Sequence, residues 1–500
     1  MEDESSHGAQ VKLLASTDDS IARDKLACED LSLSEGSFFK SVQWYLPFPA
    51  TNRAKRTNRH TSRSADGTTL FTSSSTNVVS GYVVPSDLLQ PRDGPLSLRP
   101  QGSISLPEPT HAIAPAPYFS LPNPYTHVVL TAAVDHPIQL HHAFPTSSHS
   151  DSDSPPALLE HRSAPLTTYP LIHTPTEAYL PVFSLIWPSP GTHFLAGTKN
   201  LIAYFDAERS ASGSGTAAPL LRVPTIPSAR HRAKGGGVGM RGSVSALAVS
   251  PAEGTGLVAA GTWTRWVGLY DLARAGGCAA NWCVAAAAGG EGPGRRGGGV
   301  GGSGILQTIW SPCGRYLVIN ERRSSGLLVY DVRVTGKALG WLEGRNADTQ
   351  QRMTCDVFPG ADDRGGFEVW AGAKDGMVKV WEGVGNEEGY VRASRNWQAH
   401  GSTVGSTAMH LSGSVVATCS GSWTIEEDGG QSDDSENSDS DTSSNDDSCS
   451  AVSSSISSGS GGEGIRDPSK PRLKVEGGTL KIWSIGGEVS NGPDYIEPES

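Results

Sequence analysis

Short runs in which apolar and polar residues alternate recur along the chain, bounded by clusters of Gly, Pro, Ser, Asn and Asp. One pattern returns five times: apolar, any residue, apolar, aromatic, then an acid or a polar substitute. Its copies end at Phe205-Asp206, Tyr270-Asp271, Tyr330-Asp331, Trp381-Glu382 and Trp483-Ser484. Alternation with a period of two, combined with aromatic residues, is typical of half-buried strands. The chain is therefore predicted to be built from β-strands.

Two further strands are predicted upstream of these copies. Small residues such as Ala259-Ala260-Gly261 mark a strand whose neighbours approach closely, and an earlier strand ends in a Pro/Gly turn, as at Trp310-Ser311-Pro312. Pro and Gly fix such turns and the register of the strand that follows. Each unit is then three strands whose aromatic–acid end forms the outer edge of its sheet. This order is typical of a WD-repeat propeller blade.

The repeats predict an all-β fold, a seven-bladed WD-repeat β-propeller with long disordered insertions. We expect blades near 38–84, 127–145, 181–206, 242–271, 304–333, 351–381 and 402–484, of which the first two are degenerate. We predict a disordered N-terminal arm over 1–36, the propeller over 37–485 and a flexible tail over 486–500. Insertions rich in Pro, Ser, Gly or acids bury too little apolar surface to offset the entropy of ordering. They are predicted near 46–64, 85–120, 145–168, 207–241, 272–303 and 422–470.

Charge and cysteine content give information about the partner and the cellular compartment rather than about the fold. The net charge of −12 comes mostly from residues 426–447, which hold ten acids and no Lys or Arg. The rest of the chain is nearly neutral, so its overall charge says little about a partner. The seven cysteines form no paired framework. We therefore expect a reducing compartment, and because no run approaches 18 apolar residues we expect no membrane segment.

Enzymatic and metal chemistry find no support in the sequence. Cys278 and Cys283 lack the second pair that a structural zinc site needs. The Gly-rich stretch 289–304 lacks the Gly-Lys-Ser/Thr ending of a phosphate-binding loop. The repeated acids Asp206, Asp271 and Asp331 are better explained by hydrogen bonds at strand ends than by acid catalysis. We predict no catalytic residue, no metal, no cofactor and no small-molecule substrate.

Basic residues in the short turns and at the strand starts of the strong blades are the best candidates for partner binding. A rigid ring would hold an arginine there so that it pairs with a phosphate or stacks on an unpaired base. The alternative is an ordinary surface salt bridge or a charge that protects a strand edge. The candidates for contact with RNA or another partner are Arg265, Arg322, Arg323, Arg345, Arg352 and Lys374.

Several motifs resemble one family. They include VAAGTWTRWVGLYD at 258–271, WSPCGRYLVINERRSSGLLVYDVR at 310–333 and GRNADTQQRMTCDV at 344–357. The chain resembles the telomerase Cajal body protein family, in its fungal branch, over all seven blades. The resemblance implies a non-catalytic nuclear protein, and it carries a contact role to Arg265, Arg345 and Arg352. A basic insertion after Trp44 and the absence of a long N-terminal arm depart from the pattern of the animal members.

Two functions are therefore expected. The first is a scaffold that binds small nuclear or Cajal-type RNA and its proteins, including spliceosomal components, in pre-mRNA splicing or in the handling of small Cajal body or telomerase RNA. The second is a protein-only scaffold or adaptor that binds peptides on a propeller face. A ring of Arg and Lys with an exposed aromatic residue would favour RNA, whereas an apolar pocket with an acidic rim would favour basic peptides. In either case we expect a monomer in the nucleus.

Overall fold

The computed structural model describes residues 11–17, 39–44, 67–144, 164–209, 217–228, 230, 233, 239–252, 256–285, 300–360, 365–426, 472–476 and 478–486. The predicted insertion over 46–64 and most of the predicted tail lie outside the described residues. Within them, seven sheets follow one another, each built on four strands in antiparallel succession. We number these sheets blade 1 to blade 7 in chain order and count the strands of a blade from the centre of the ring outwards.

The first four blades each contain four strands. Blade 1 comprises Phe39–Trp44, Thr69–Ser74, Val78–Val83 and Gly102–Ser105; blade 2 comprises Thr110–Pro115, Val128–Ala133, Ile138–His142 and Thr167–Tyr169; blade 3 comprises Ser184–Ile186, His193–Thr198, Leu201–Asp206 and Leu221–Pro224; blade 4 comprises Val244–Val249, Leu257–Thr262, Trp266–Asp271 and Gly277–Cys283. Short 3-10 helices occupy Pro124–Thr126 and Leu272–Arg274.

The last three blades include strands from distant parts of the chain. Blade 5 comprises Ile305–Trp310, Tyr316–Glu321, Ser324–Asp331 and Ala338–Ala347, with Gly389–Arg392 added in parallel; blade 6 comprises Cys355–Pro359, Phe367–Gly372, Met377–Val384 and Arg395–Gln398; blade 7 comprises Val404–Met409, Val415–Ser420, Leu480–Ile485 and Val11–Ser16, with Leu96–Ser97 added in parallel. A separate hairpin pairs Ser422–Glu426 with Arg472–Glu476.

The blades close into a ring around a central channel. A cavity of about 420 Å³ is lined by residues from the first strands of all seven blades. Within the described residues, seven apolar clusters form, and each joins two neighbouring blades. The cluster that contains Leu70 of blade 1 and Ile482 of blade 7 completes the circle. The predicted seven-bladed β-propeller is confirmed.

Hydrogen bonds between first strands reinforce the ring near the channel. Hydroxyl groups of one blade donate to backbone carbonyls of the next at 2.5–3.1 Å: Ser184 to Val244, Ser245 to Ile305 and Ser406 to Val42. These side chains are buried, so each bond satisfies a carbonyl that water does not reach. The blades are therefore held together by polar contacts at the centre as well as by apolar packing farther out.

The structure differs from the sequence prediction at the outer strands. The aromatic–acid strands are third of four in their blades, so they are not the outer edges that we expected. Several fourth strands lie in predicted disordered insertions, among them Gly102–Ser105, Leu221–Pro224 and Gly277–Cys283. The first strand of blade 2, Thr110–Pro115, also lies in the predicted 85–120 insertion. These outer strands are partly exposed, and their own sequence pattern is too weak to predict a strand. Pairing with the neighbouring third strand orders them.

The N-terminal region contains a second difference. Residues 1–36 were predicted to be a disordered arm, yet Val11–Ser16 pairs antiparallel with Leu480–Ile485 and forms the fourth strand of blade 7. Ala15 is fully buried in this position. The six-residue segment VKLLAS is too short to predict a blade by itself. Its partner strand lies at the other end of the chain, so no neighbouring repeat marks it as part of a blade.

The acids of the repeat act as expected. Asp206, Asp271 and Asp331 each accept a hydrogen bond from the backbone N–H two residues later, at 2.9–3.0 Å. Asp331 also pairs with Arg315 and Arg333, which hold the pKa of its carboxyl well below the usual range. These carboxylates fix the chain as it leaves the third strand, and the prediction of a structural role is confirmed.

Candidate partner-binding face

All the predicted basic residues lie at or near one end of the propeller ring. In an antiparallel blade, the turn between the second and third strands lies at the same end as the start of the first strand. We call this end of the ring the upper face. It carries the turns that contain Arg265, Arg322, Arg323 and Lys374, and it also carries Arg352, which lies just before blade 6. Arg345 lies in the outer strand of blade 5 near the same end.

The upper-face turns share an uncommon backbone conformation. In each of blades 1 to 6, the turn between the second and third strands contains one residue in the left-handed region; in chain order these are Asn77, Asp135, Asn200, Arg265, Arg323 and Gly376. Asn, Asp and Gly adopt this conformation at low cost, whereas a long side chain does so at a cost of roughly 1 kcal/mol. Blades 4 and 5 place an arginine there, which calls for a compensating interaction.

For Arg265 that interaction is within the protein. Its guanidinium makes two hydrogen bonds to the carboxylate of Glu321 in blade 5, with Nε–Oε1 at 2.7 Å and Nη2–Oε2 at 3.1 Å. Glu321 is buried, and burial raises its pKa while Arg265 opposes that shift. Arg265 therefore neutralises a buried carboxylate and joins blades 4 and 5, which leaves little of its guanidinium for a partner.

Arg345 is an interior residue. Only 1% of it is exposed, and its guanidinium donates to the Gly372 carbonyl and to Asn320 Oδ1, both at 2.8 Å. Burial lowers the pKa of this arginine. The predicted surface contact does not fit this position, because the side chain ties the outer strand of blade 5 to blade 6 beneath the surface.

Arg323 and Lys374 are exposed on the upper face. The backbone of Arg323 is left-handed, and its guanidinium has no ion-pair partner among the described residues. Lys374 is held through its backbone, which donates to Asn346 and accepts from Thr403. Neither charged group has an ion-pair partner among the described residues, although Asp375 beside Lys374 offsets part of the local charge.

Residues from every blade or from the segment that leads into it surround the upper opening of the channel. We call this group the channel mouth: Lys40, His111, Phe183, Trp263, Arg322, Arg352 and Trp423, in chain order from blades 1, 2, 3, 4, 5, 6 and 7. They line a cavity of about 510 Å³. Trp263 is 42% exposed and Trp423 is 50% exposed, so large aromatic surfaces face this space.

A continuous arc of rings and cations runs around much of the channel mouth. The Arg322 guanidinium lies 5.3 Å from the ring centre of Trp263, and Trp263 lies 5.1 Å from Phe183. Phe183 is in turn 5.5 Å from His111. Arg352 reaches from blade 6 to blade 2 and donates from Nη1 to the His111 carbonyl at 2.9 Å. The arc thereby holds two guanidinium groups at the opening of the channel.

The cations of the channel mouth have no acidic neighbour among the described residues. In the part of the chain that the structure describes, no carboxylate lies within ion-pair distance of Lys40, Arg322 or Arg352. Burial lowers the pKa of Arg352 to about 10, with a further contribution from the positive charge of Arg322. Burial also lowers the pKa of His111, helped by Arg352 and Lys40. The Nε atom of Arg322 is buried without a hydrogen-bond partner.

The sequence did not identify most of the channel mouth. Trp263 lies in the GTWTRW segment and Lys40 in a first strand, but neither stands out from core residues by pattern alone. Phe183, His111 and Trp423 come together only because the ring closes. An exposed Trp in a polar turn, as at position 263, is the one signal that could have been noticed.

Other kinds of site are not supported by the described residues. Across them, His, Cys, Asp and Glu side chains nowhere form a cluster of three that could bind a metal ion. The same portion of the chain contains no helix with the length and apolar character needed to cross a bilayer.

Comparison with known proteins gives one distant relative. No family model matches the chain. It is similar to a protein of Schizosaccharomyces pombe named guanine nucleotide-binding protein negative regulator 1, with 24% identity over 326 residues that cover 64% of this chain and 70% of the relative. That name does not point to the telomerase Cajal body protein family, so membership of that branch stays a prediction.

The repeat signature is borne out in the last blade. His400 precedes blade 7, and its Nε2 lies 2.8 Å from Thr418 Oγ1; this hydroxyl oxygen accepts a hydrogen bond from Trp483 Nε1 at 2.9 Å. Ala399-His400 and Trp483-Ser484 occupy the places of the Gly-His and Trp-Asp pairs of the WD repeat. Together with seven equivalent blades in a closed ring, this identifies the chain as a propeller scaffold of the WD-repeat type.

Proposed function

We propose that the chain is a non-catalytic WD-repeat scaffold that binds small nuclear or Cajal-type RNA and its proteins on the upper face, in the nucleus. The observation that carries the proposal is the meeting of uncompensated Lys and Arg side chains with exposed aromatic rings at the channel mouth. Cations pair with phosphates and aromatic faces stack on bases, so this combination suits RNA better than a basic peptide. The acidic rim that a basic peptide would need is not seen among the described mouth residues.

Arg323 adds an independent argument. Its left-handed backbone is unfavourable for a long side chain, and no described carboxylate compensates for it. Asn would adopt the same turn more easily, as it does at positions 77 and 200. Strain of this kind is commonly kept where a side chain contacts a ligand.

A second candidate is a protein-only scaffold that binds a regulatory partner. It is favoured by the name of the Schizosaccharomyces pombe relative, which describes a negative regulator of a guanine nucleotide-binding protein. A propeller face could serve that purpose without RNA.

RNAs crosslinked to the chain in cells can be sequenced for the wild type and for the Arg323→Asn/Lys374→Gln variant. The matched control is Arg274→Gln/Lys337→Gln, which removes two charges from the opposite face where the side chains are 85% and 71% exposed. We expect small nuclear or Cajal-type RNAs with the wild type and the control, and a reduction of about tenfold with the upper-face variant.

The outcomes separate the two candidates. Absence of such RNAs from the wild type would contradict the RNA proposal. If that absence were accompanied by co-purifying proteins that the upper-face variant loses, the protein-only scaffold would be supported instead. Equal RNA recovery from both variants would contradict the assignment of the upper face.

A further inference from the structure

The channel mouth has the features of a preformed anion site. Three cations line one cavity, and the positive charge of Arg322 adds to the effect of burial in lowering the pKa of Arg352. None of the described carboxylates lies within ion-pair distance of these cations, and like charges that are close together repel one another. A bound anion would relieve this electrostatic repulsion. The relief would contribute favourably to the free energy of binding a negatively charged group.

The donors at this site are available and oriented. Arg322 Nε is buried and has no hydrogen-bond partner among the described residues, and the guanidinium lies over the Trp263 ring, 5.3 Å from its centre. Arg352 lines the same cavity and is anchored through Nη1 to the His111 carbonyl, which leaves its other N–H groups without a hydrogen bond to described residues. Preorganised guanidinium groups bind phosphate oxygens with directed, charge-assisted hydrogen bonds.

The aromatic surface beside these donors indicates that the ligand carries a flat aromatic group next to its anion. Trp263 is packed by Phe183 at 5.1 Å and by Arg322 at 5.3 Å, yet 42% of it stays exposed. An indole held rigidly at the edge of a cationic cavity offers a stacking surface for a nucleobase. A duplex keeps its bases stacked on each other, so only an unpaired nucleotide could use both features.

We propose that the channel mouth is a phosphate seat, in which Lys40, Arg322 and Arg352 bind one backbone phosphate of an RNA strand while an adjacent unpaired base stacks on Trp263. This inference rests on the proposed function and narrows it from a face to one site. It also assigns roles to Lys40 and Trp263, which the sequence analysis did not single out.

The test uses the full chain and measures equilibrium binding of a fluorescent single-stranded RNA 12-mer of mixed sequence and of the corresponding duplex, at several salt concentrations. We expect the single strand to bind more tightly than the duplex. Lys40→Gln and Arg322→Gln should each weaken binding about tenfold and reduce the slope of log K against log salt by about 0.7, the contribution of one phosphate contact on a single strand.

Stacking is tested separately. Trp263→Ala should weaken binding about tenfold or more with little change in the salt slope, and Trp263→Phe should restore most of the affinity because the phenyl ring still stacks. Arg274→Gln on the opposite face is the charge-matched control and should leave both affinity and slope unchanged. Thermal unfolding of each variant shows whether a loss of binding comes from a loss of fold.

The possible failures are distinguishable. If the wild type binds neither RNA, the proposed function itself falls. If it binds RNA but Lys40→Gln and Arg322→Gln leave affinity and salt slope unchanged, the phosphate seat is overturned while the proposed function stands. Equal affinity for the duplex, or a Trp263→Ala variant with wild-type affinity, overturns the stacking part. Displacement of the RNA by a phosphoserine peptide that binds more tightly overturns the choice of RNA as the occupant.

Discussion

At the residue scale, identical amino acids have different roles according to what surrounds them. Arg265 and Arg323 occupy equivalent left-handed turn positions in neighbouring blades. Arg265 is bound to buried Glu321, whereas Arg323 is exposed and has no described carboxylate. The role of Arg265 is explained by the stability of the fold, whereas no described residue compensates the charge of Arg323.

This contrast predicts opposite effects for the same substitution. Arg323→Asn should raise the free energy of unfolding by about 0.5–1 kcal/mol, because Asn tolerates the left-handed backbone. Arg265→Asn should lower it by about 2 kcal/mol or more, because Glu321 would be left buried without its partner. Denaturant unfolding followed by Trp fluorescence measures both. Equal effects of the two substitutions would contradict the distinction.

At the element scale, buried polar relays fix strands that lie far apart in sequence. His400 lies just before blade 7, with Nδ1 at 2.7 Å from Thr479 Oγ1 and Nε2 at 2.8 Å from Thr418 Oγ1. Thr418 is in the second strand of this blade and Thr479 immediately precedes the third, so the His400 side chain links the two strands. Burial lowers the pKa of His400 to about 3, with a further contribution from Lys481. The relay therefore requires a neutral imidazole.

This requirement predicts a pH dependence of stability. Between pH 6.5 and about 3, His400 takes up a proton in the unfolded chain but not in the folded one, so stability falls as the pH falls through this window. The contribution is at most about 1.4 kcal/mol per pH unit. His400→Gln should be less stable at pH 7 but show a shallower decline, measured by denaturant unfolding at pH 7, 6, 5 and 4. Parallel curves for the two proteins would contradict this assignment.

At the scale of the whole molecule, the ring is closed by both ends of the described chain. Val11–Ser16 covers the third strand of blade 7 and also pairs with Leu96–Ser97, which follows the third strand of blade 1. A propeller gains its stability from interfaces between blades, and an unclosed ring would leave strand edges and apolar surface exposed. The N-terminal strand is thus part of the fold.

Deletion of residues 1–17 should therefore cost roughly 2–4 kcal/mol, from the apolar side chains that it uncovers. It should also promote concentration-dependent association through the free edge of Leu480–Ile485. Thermal unfolding and size-exclusion chromatography measure the two effects. Deletion of residues 1–9, which ends before the strand, is the control, and an unchanged midpoint for the longer deletion would show that the strand is dispensable.

The sequence by itself determined the class of fold and the blade repeat, because an alternating pattern with aromatic–acid ends is set by local strand geometry. It also located the upper-face turns, since their residues lie within the repeats. Only the tertiary structure decided which strands are outermost, because Val11–Ser16 and the fourth strands depend on pairing with distant segments. It likewise decided that Arg345 is interior and that Lys40, Phe183 and Trp263 meet at one opening. A closed ring brings together residues from all seven blades, and no local pattern records that proximity.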